Sequence, residues 1–352
     1  MSLNTSSQQQ FTGGECLEVE DLVVTVRERR ILKGASLRYC GGNVFLIIGR
    51  NSSGKSTLLR TIAGLLTPER GRILYGGRDY TREPPWVRRF AYASTPFPLI
   101  ANKTVRQTLE SIAKISSSKS PEAEVLEVAK RYEIESLLER MPHQLSQGER
   151  QRVGVAAIVL AKPRLALFDE PLAHLSKTWA LAISAEITRL AREERVPAIV
   201  STPTINDAFF FGGDTLAGVM NDGRVVAVDY LSSLVSRPRH IDVLLGLDFY
   251  TTNIVDLRDS NPLAQHISGL CDSSARYAWA SPQSVEIASD GGAEGAVERV
   301  VLEAGFLVAY VRVGGRVVAA RVSDSSPPRV GDRVRVLFRE AVCFEDSGRL
   351  AG

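Results

Sequence analysis

The sequence predicts an α/β fold, followed by a smaller all-β module, in a chain of 352 residues. Three observations lead to this fold class. Strand-like and helix-like runs alternate over the first two thirds of the chain, as in domains built on a mostly parallel sheet. A glycine-bounded loop joins the apolar run 44–48 to a helical pattern that begins at Thr57. After about Arg237, short alternating runs predict a small barrel.

The loop after the run 44–48 matches the pattern G-x-x-x-x-G-K-[ST]. Glycines let the backbone curl so that successive N–H groups point at phosphate oxygens, and the following helix adds the positive end of its dipole. We expect Lys55 to reach the β- and γ-phosphates and the Ser56 hydroxyl to coordinate Mg²⁺. A chance turn is the alternative, but a strand and a helix flank the loop. The predicted phosphate-binding residues are Gly49, Arg50, Asn51, Ser52, Ser53, Gly54, Lys55, Ser56 and Thr57.

Composition and charge limit the class of protein. Apolar residues make up 44% of the chain, enough for two domain cores, and the formal net charge of +3 does not predict a nucleic-acid partner. No apolar run reaches the roughly 20 residues that cross a bilayer, and the polar segment 1–14 has no apolar signal-peptide core. We therefore expect a cytosolic chain that meets the membrane through a partner. The basic run 27–30 is expected in a solvated hairpin.

The cysteines Cys16, Cys40, Cys271 and Cys343 are far apart in sequence and show no C-x-x-C spacing. This pattern predicts unpaired thiols in a reducing compartment, rather than a metal site or a disulfide framework. The four histidines show no metal-ligand spacing either. No metal besides Mg²⁺ is therefore expected.

The remaining predicted elements follow the loop in a regular order. In the α/β part, strand-like runs cover 71–75, 90–93, 165–168 and 198–201, and helical patterns cover 104–141, 150–160 and 179–194. In the all-β module, strand-like runs cover 296–303, 306–313, 316–322 and 333–338. The pair Gly314–Gly315 predicts a two-residue hairpin, because glycines adopt the positive φ that such turns need. This module carries no catalytic constellation.

Two carboxylates, Asp169 and Glu170, end the strand-like run 165–168. In an enzyme with a phosphate-binding loop, the first carboxylate holds Mg²⁺, directly or through water. The second can orient or deprotonate the attacking water. Acidic residues end many strands, so the pair alone is a weak indication. Its position after the phosphate-binding loop, and directly after the next motif, makes the interpretation specific.

That motif is the signature segment, residues 145–149, with the sequence LSQGE. Ser146 and Glu149 have the spacing of a capping box at a helix start. A helix N-terminus with serine and glycine can also bind the γ-phosphate of a nucleotide held by a second subunit. The two roles are compatible. The candidate nucleotide contacts in this segment are Ser146, Gln147, Gly148 and Glu149.

The order phosphate-binding loop, helical insertion, LSQGE and LFDE resembles the ATPase subunit of an ABC transporter, over about residues 16–235. The tail from about 240 to 345 resembles the accessory β domain (TOBE type) of importer ATPases for sugars and oxyanions. There Ser281-Pro282-Gln283 lies where many relatives have Arg-Pro-Glu, and Gly331-Asp332 matches a usual turn. The resemblance implies a P-loop NTPase domain at 16–237, with a helical subdomain at about 100–147, and an OB/TOBE-like barrel domain at 238–352.

The resemblance also implies function. Two subunits would sandwich two ATP molecules with Mg²⁺, each bound by the phosphate-binding loop of one subunit and the signature segment of the other. Closure would drive a separate membrane permease, and this subunit would lie in the cytoplasm on the inner face of the cell membrane. Sugar is the first expected solute, and metal oxyanions come next. A degenerate, non-hydrolysing subunit that completes the site of a different ATPase partner is the alternative. Soluble ABC proteins of translation or repair usually carry two cassettes or a long coiled-coil insertion, and this chain has one cassette and neither insertion.

Four positions depart from the pattern of the family. Val26 stands where an aromatic residue stacks on adenine, and Thr95 where a glutamine links the γ-phosphate, Mg²⁺ and the permease. Ser176 replaces an aspartate, and Pro203 replaces a histidine that contacts the γ-phosphate. The phosphate-binding loop, both carboxylates and the signature segment are retained. This combination predicts slow hydrolysis at the chain's own loop and a heterodimer with a complete ATPase subunit. A homodimer with unusual but active sites is the alternative.

Overall fold

Two sheets form the N-terminal part of the chain in a computed structural model. The structure describes residues 15–41, 43–95, 97–248, 250–288, 290–303, 306–322 and 327–351. The polar segment 1–14, considered above, lies outside these residues. The first ten strands are β1 (Cys16–Val26), β2 (Arg29–Cys40), β3 (Val44–Ile48), β4 (Arg70–Tyr75), β5 (Arg78–Asp79), β6 (Phe90–Ser94), β7 (Leu165–Asp169), β8 (Ala198–Thr202), β9 (Leu216–Asn221) and β10 (Arg224–Tyr230).

The larger sheet has six strands in the order β10-β9-β3-β8-β7-β6. Strands β9, β3, β8, β7 and β6 run parallel, and β10 closes one edge as an antiparallel strand. Strands β3, β7 and β8 are buried along their whole length, which explains their continuous apolar runs. The predicted parallel sheet and its order of alternation are therefore confirmed.

The second sheet is antiparallel, with the order β2-β1-β4-β5. The expectation of mostly parallel strands did not include it, because a long hairpin rather than a helical crossover joins β1 to β2. Arg27 and Glu28 form the two-residue turn, with φ of 47° and 67°, and the run 27–30 is exposed. The predicted solvated hairpin is confirmed.

Helices cover the larger sheet and form the insertion between β6 and β7. They are α1 (Lys55–Ala63), α2 (Pro85–Arg88), α3 (Val105–Ile115), α4 (Pro121–Arg131), α5 (Gln147–Ala161), α6 (Lys177–Glu193) and α7 (Ile205–Ala208). Helix α1 begins after Gly54 and ends at Gly64, both in the left-handed region. Helices α3, α4 and α5 pack on one another. The helical pattern predicted for 104–141 is confirmed as far as Arg131, as α3 and α4, and the rest contains one 3-10 turn at Glu135–Leu137.

A second compact unit begins at Ser232, after the first one ends at Leu231. The chain runs through α8 (Leu231–Ser236) into this unit, whose elements are α9 (Ile241–Leu247), β11 (Ile254–Asp256), α10 (Pro262–Ile267), β12 (Tyr277–Trp279), β13 (Val285–Ala288), β14 (Ala293–Glu303), β15 (Phe306–Val313), β16 (Arg316–Arg321), β17 (Arg333–Phe338) and β18 (Val342–Phe344). Strands β13-β16-β15-β14-β17 close a barrel, as predicted. Gly314 and Gly315 turn β15 into β16 with φ of 52° and 87°, which confirms the hairpin.

All four cysteines are paired, so the expectation of unpaired thiols is wrong. Cys16 and Cys40 face each other in the register of β1 and β2 and form one disulfide, and Cys271 forms the other with Cys343 beside β12. Sequence spacing could not show these pairs, because the folded chain brings together residues that are 24 and 72 positions apart. In the described residues, no helix is both long and apolar enough to span a bilayer.

Candidate nucleotide-binding site

The carboxyl ends of three neighbouring strands meet at one edge of the six-stranded sheet. In the strand registers, Ile48 of β3 lies opposite Thr202 of β8, and Ser201 of β8 lies opposite Asp169 of β7. The Gly49 N–H donates to the Thr202 carbonyl at 3.3 Å as the chain leaves β3. Loops at the carboxyl ends of parallel strands are where open α/β sheets bind ligands.

Glycine is required at both ends of the phosphate-binding loop. A Cβ at Gly49 would lie 2.5 Å from the Met220 carbonyl oxygen, and Gly54 has φ of 105°. Between them, Arg50, Asn51 and Ser52 are exposed at the tip of the loop, and the chain then returns to the start of α1. Ser53 is buried, and Ser56 and Thr57 lie half-buried in the first turn of α1.

Lys55 is buried at the centre of this loop, with 3% of its side chain exposed. Its Nζ donates to the carbonyl oxygens of Gly49 at 2.7 Å and Arg50 at 3.2 Å. It also lies 3.3 Å from Glu170 Oε1. The ammonium group therefore faces the space enclosed by the loop, where phosphate oxygens could replace the carboxylate.

Both carboxylate oxygens of Asp169 accept hydrogen bonds. Oδ1 accepts from Ser56 Oγ at 3.0 Å and from Ser201 Oγ at 2.8 Å. Oδ2 accepts from the Tyr92 hydroxyl at 2.7 Å. The two predicted Mg²⁺ ligands, Ser56 and Asp169, are thus in direct contact, and they present the oxygen donors that Mg²⁺ prefers.

Tyr92 is itself held by a second partner. Arg60 Nε, from the exposed side of α1, donates to the Tyr92 hydroxyl oxygen at 3.1 Å. Burial, with the hydrogen bond to Asp169, raises the pKa of Tyr92 to about 12. The hydroxyl therefore keeps its proton at neutral pH and remains a donor to the carboxylate.

The backbone of Glu170 is fixed from two sides. Its φ of 53° is in the left-handed region, which is uncommon for a residue with a side chain. Its N–H donates to Ser201 Oγ at 3.0 Å, and its carbonyl accepts from Thr95 Oγ1 at 2.8 Å. These bonds hold a strained turn in place, so the candidate catalytic carboxylate leaves the sheet in a defined direction.

Thr95 also joins this turn to helix α5. Its Oγ1 accepts a hydrogen bond from Gln151 Nε2 at 3.0 Å, and the Gln151 side chain is buried. At Thr95, where the family resemblance predicts a glutamine, a shorter side chain donates to the backbone carbonyl of Glu170. A glutamine from another element, Gln151 of α5, donates in turn to the Thr95 hydroxyl.

The signature segment begins α5 with the predicted capping box. Ser146 Oγ accepts from the Glu149 N–H at 3.3 Å, and Glu149 Oε2 accepts from the Ser146 N–H at 2.8 Å. The Ser146 N–H holds the pKa of Glu149 below its usual range. Arg140 Nη1 lies 3.2 Å from the other carboxylate oxygen of Glu149. The capping interpretation is confirmed.

The same segment contacts the chain that follows Glu170. Gln147 Nε2 donates to the Ala173 carbonyl at 3.1 Å. A Cβ at Gly148 would lie 2.8 Å from the Trp179 ring, so glycine permits this close approach. The structure therefore brings the loop 49–57, Asp169 and Glu170 into one cluster, and it packs residues 146–149 against the segment after that cluster.

Comparison with known proteins identifies the family. Residues 32–173 match the sequence family described as ABC transporter. The molybdate/tungstate import ATP-binding protein WtpC of Pyrococcus horikoshii is 35% identical over 242 residues, which cover 68% of this chain and 69% of that protein. The sn-glycerol-3-phosphate import ATP-binding protein UgpC of Brucella abortus is 30% identical over 318 residues, or 87% of this chain and 90% of that one. This chain belongs to the ABC transporter ATP-binding subunits.

Solved structures agree with this family. An ATP-binding cassette of an ABC transporter in its ADP conformation has a TM-score of 0.57 and 24% identity, and covers 66% of this chain and 99% of its own length. A dimeric cassette in a post-hydrolysis state has a TM-score of 0.54 and 25% identity, and covers 61% and 98%. The predicted P-loop ATPase fold and the family resemblance are confirmed. ABC subunits of this type bind ATP, are transport-coupled ATPases and work with membrane permeases.

The other departures from the ABC pattern have local explanations. Val26 ends β1 and packs against the core of the N-terminal unit. Ser176 is the N-cap of α6, where its Oγ accepts from the Trp179 N–H at 3.4 Å. Pro203 follows β8 and precedes Thr204, the N-cap of α7. Each residue fits its backbone position, but none supplies the side-chain group that the family resemblance predicts there.

Sequence reasoning missed two residues of this ABC site, Tyr92 and Ser201. Both donate to Asp169 from strands that neighbour β7, and the sequence predicts of each only that it lies in a strand-like run. For Ser201 a signal existed, because a hydroxyl at the end of a parallel strand meets the carboxylate at the end of the next one. Tyr92 ends no strand, and only the sheet register shows where its hydroxyl lies.

Proposed function

We propose that this chain is the ATP-binding subunit of an ABC importer. It binds MgATP at the interface of two subunits and couples hydrolysis to solute uptake through a separate permease. The observation that carries the proposal is the convergence of Lys55, Ser56, Asp169 and Glu170 on one loop. Family membership is the support for the transport role.

The loop residues fit a bound nucleotide with Mg²⁺. Ser53 Oγ is buried without a hydrogen-bond partner, as expected of a group that lines a ligand site. The backbone of residues 49–57 and the Lys55 ammonium would bind the phosphates. Ser56 and Asp169 would hold Mg²⁺, which when bound neutralises charge on the phosphates.

Glu170 would position and polarise the attacking water. Its backbone is held by Thr95 and Ser201, so its carboxylate can turn from Lys55 to a water while its attachment point stays fixed. Accepting a proton from that water is the step that this side chain supplies. The neighbouring carboxylate, Asp169, accepts three hydrogen bonds and would hold Mg²⁺, so it is unsuited to that role.

The signature segment would complete the site of a second subunit. Ser146 and Gln147 are exposed at the N-terminus of α5, where N–H groups and the helix dipole favour an anion. Gly148 and Glu149 hold this terminus in shape through Trp179 and the capping box. We propose a homodimer, because one chain carries both halves of such a site.

Domain roles and location complete the proposal. Residues 16–237 form the nucleotide-binding domain with a helical subdomain at about 100–147, and 238–352 form a TOBE-like accessory domain. The subunit works on the inner face of the cell membrane, bound to its permease. The family resemblance predicts sugar as the first solute. We propose an anionic solute instead, since the named cargoes of these two relatives, molybdate/tungstate and sn-glycerol 3-phosphate, are anions.

ATP binding and steady-state hydrolysis by the purified chain test this function. Glu170→Gln should retain ATP binding and lower turnover by about 10²- to 10⁴-fold, as expected for loss of a general base. Glu20→Gln, which breaks only a surface ion pair with Arg72, is the matched control and should hydrolyse like the unchanged protein. ATP binding without turnover in the unchanged chain would favour the degenerate subunit, and absence of binding would overturn the proposal.

A further inference from the structure

We propose that Tyr92 is a positioning residue for the Mg²⁺ site and acts by fixing the carboxylate of Asp169. The inference rests on the proposed function, because it assigns a role within the same site. Its basis is a chain of hydrogen bonds from Arg60 Nε to the Tyr92 hydroxyl at 3.1 Å, and from that hydroxyl to Asp169 Oδ2 at 2.7 Å.

The sheet register explains why a tyrosine reaches this position. Tyr92 of β6 lies opposite Leu167 of β7, two residues before Asp169 along a parallel strand. Two residues of a strand span roughly 6.6 Å, which is about the length of a tyrosine side chain. Tyr92 and Leu167 belong to the same core cluster, on the face of the sheet that α1 covers. The hydroxyl therefore arrives at the carboxylate from the edge of the sheet.

The bonds of Asp169 are divided between its two oxygens. Oδ1 accepts from Ser56 and Ser201, and Oδ2 accepts from Tyr92. Oδ1 is therefore the oxygen that faces Ser56, the other residue that would hold Mg²⁺. The Tyr92 bond fixes the rotation of the carboxylate and keeps Oδ1 directed toward Ser56. Partners that orient a ligating carboxylate in this way sustain metal affinity.

The hydroxyl also separates two opposite charges. Arg60 is exposed and meets Tyr92 rather than Asp169. Without the phenol oxygen, its guanidinium loses an acceptor and can pair with the carboxylate directly. A cation bound to Asp169 competes with Mg²⁺ for the same negative charge. Loss of the hydroxyl therefore weakens the metal site in two ways, through orientation and through charge.

The test is the gain in ATP affinity that Mg²⁺ provides, measured by calorimetry with Mg²⁺ and with EDTA. In Tyr92→Phe, affinity in EDTA should be unchanged, whereas the gain from Mg²⁺ should fall about tenfold. Mn²⁺ binding to the ATP-loaded chain, followed by electron paramagnetic resonance, should weaken by the same factor. In Tyr92→Phe combined with Arg60→Gln, part of the gain should return.

Tyr75→Phe is the matched control, because the Tyr75 hydroxyl makes a buried bond of 2.7 Å to the Arg164 carbonyl, away from Asp169. It should leave the Mg²⁺ gain unchanged even where it lowers thermal stability. If Tyr92→Phe does not fold, Tyr92→Met keeps an apolar side chain without the hydroxyl. A full Mg²⁺ gain in a folded Tyr92 variant overturns the inference. No Mg²⁺ gain in the unchanged chain overturns the proposed function instead.

Discussion

Lys55 Nζ lies 3.3 Å from Glu170 Oε1, so the phosphate-binding lysine and the candidate catalytic carboxylate form an ion pair across the site. The lysine is buried, and the carboxylate is partly exposed at 30%. Bound phosphate would have to replace this carboxylate. The ion pair thus opposes nucleotide binding in the same protein that needs both groups for hydrolysis.

Removing the charge of Glu170 should therefore tighten ATP binding in the absence of Mg²⁺. An ion pair of this exposure contributes about 1 kcal/mol at most, so Glu170→Gln should lower the Kd for ATP in EDTA by about threefold to fivefold. Calorimetric titration at low salt measures the effect, and high salt should reduce it. An unchanged Kd would show that solvent already screens the pair.

The Thr95 hydroxyl should matter for catalysis beyond its effect on stability. Thr95→Val removes the bond to the Glu170 carbonyl and leaves the buried Gln151 amide without this acceptor. We expect a loss of about 1–3 kcal/mol in the free energy of unfolding and a lower kcat, because the turn at Glu170 is released.

Thr108→Val is the matched control for this change. Thr108 is buried, whereas Thr95 is half-buried, and the Thr108 Oγ1 has no hydrogen-bond partner. Its replacement should leave both kcat and stability unchanged, or raise stability. Equal losses in the two variants, measured by urea unfolding and steady-state kinetics, would contradict the role given to Thr95.

Contact with Trp179 should make Gly148 intolerant of a side chain. A Cβ would lie 2.8 Å from the ring, so Gly148→Ala should shift the start of α5 and lower ATPase activity at least several-fold. Trp179→Leu in the same chain should restore part of the activity, because it clears the space. Gly269→Ala is the control, since nothing lies within 4 Å of a Cβ there.

The two disulfides should differ in their effect on stability. Cys271–Cys343 closes a separation of 72 residues and Cys16–Cys40 one of 24. Loop-closure entropy predicts about 2–5 kcal/mol for each, with the longer loop ahead by about 1 kcal/mol. Alanine pairs at each bridge, compared by denaturant unfolding, measure this order. Thiol titration should find no reactive cysteine until reductant is added; a free thiol in the unreduced chain would contradict the pairing.

Features that are contiguous in the sequence could be predicted. The strand, loop and helix at 44–63 follow from an apolar run, two glycines and a helical pattern that touch one another in sequence. The capping box of Ser146 and Glu149 and the barrel hairpin at Gly314–Gly315 are local in the same sense. Each depends on interactions between residues that are close in sequence, so the sequence alone is enough to predict it.

Features set by strand order could not be predicted in this way. Tyr92 reaches Asp169 only because β6 is placed beside β7 with a particular register. Cys16 meets Cys40 only because the β1–β2 hairpin has a length that aligns its two ends. Neither relationship leaves a local mark on the sequence, since pairing between strands is decided by packing across the whole sheet.

The serine cap of α6 has a consequence for how subunits choose one another. A helix start needs an oxygen that accepts a hydrogen bond, and the Ser176 hydroxyl meets this need as well as an aspartate does. The exchange therefore leaves the helix intact while one negative charge disappears from an exposed position. A partner chain that met this exposed position would face a neutral hydroxyl where an aspartate would present a negative charge, and charge complementarity is one of the terms by which interfaces discriminate between partners.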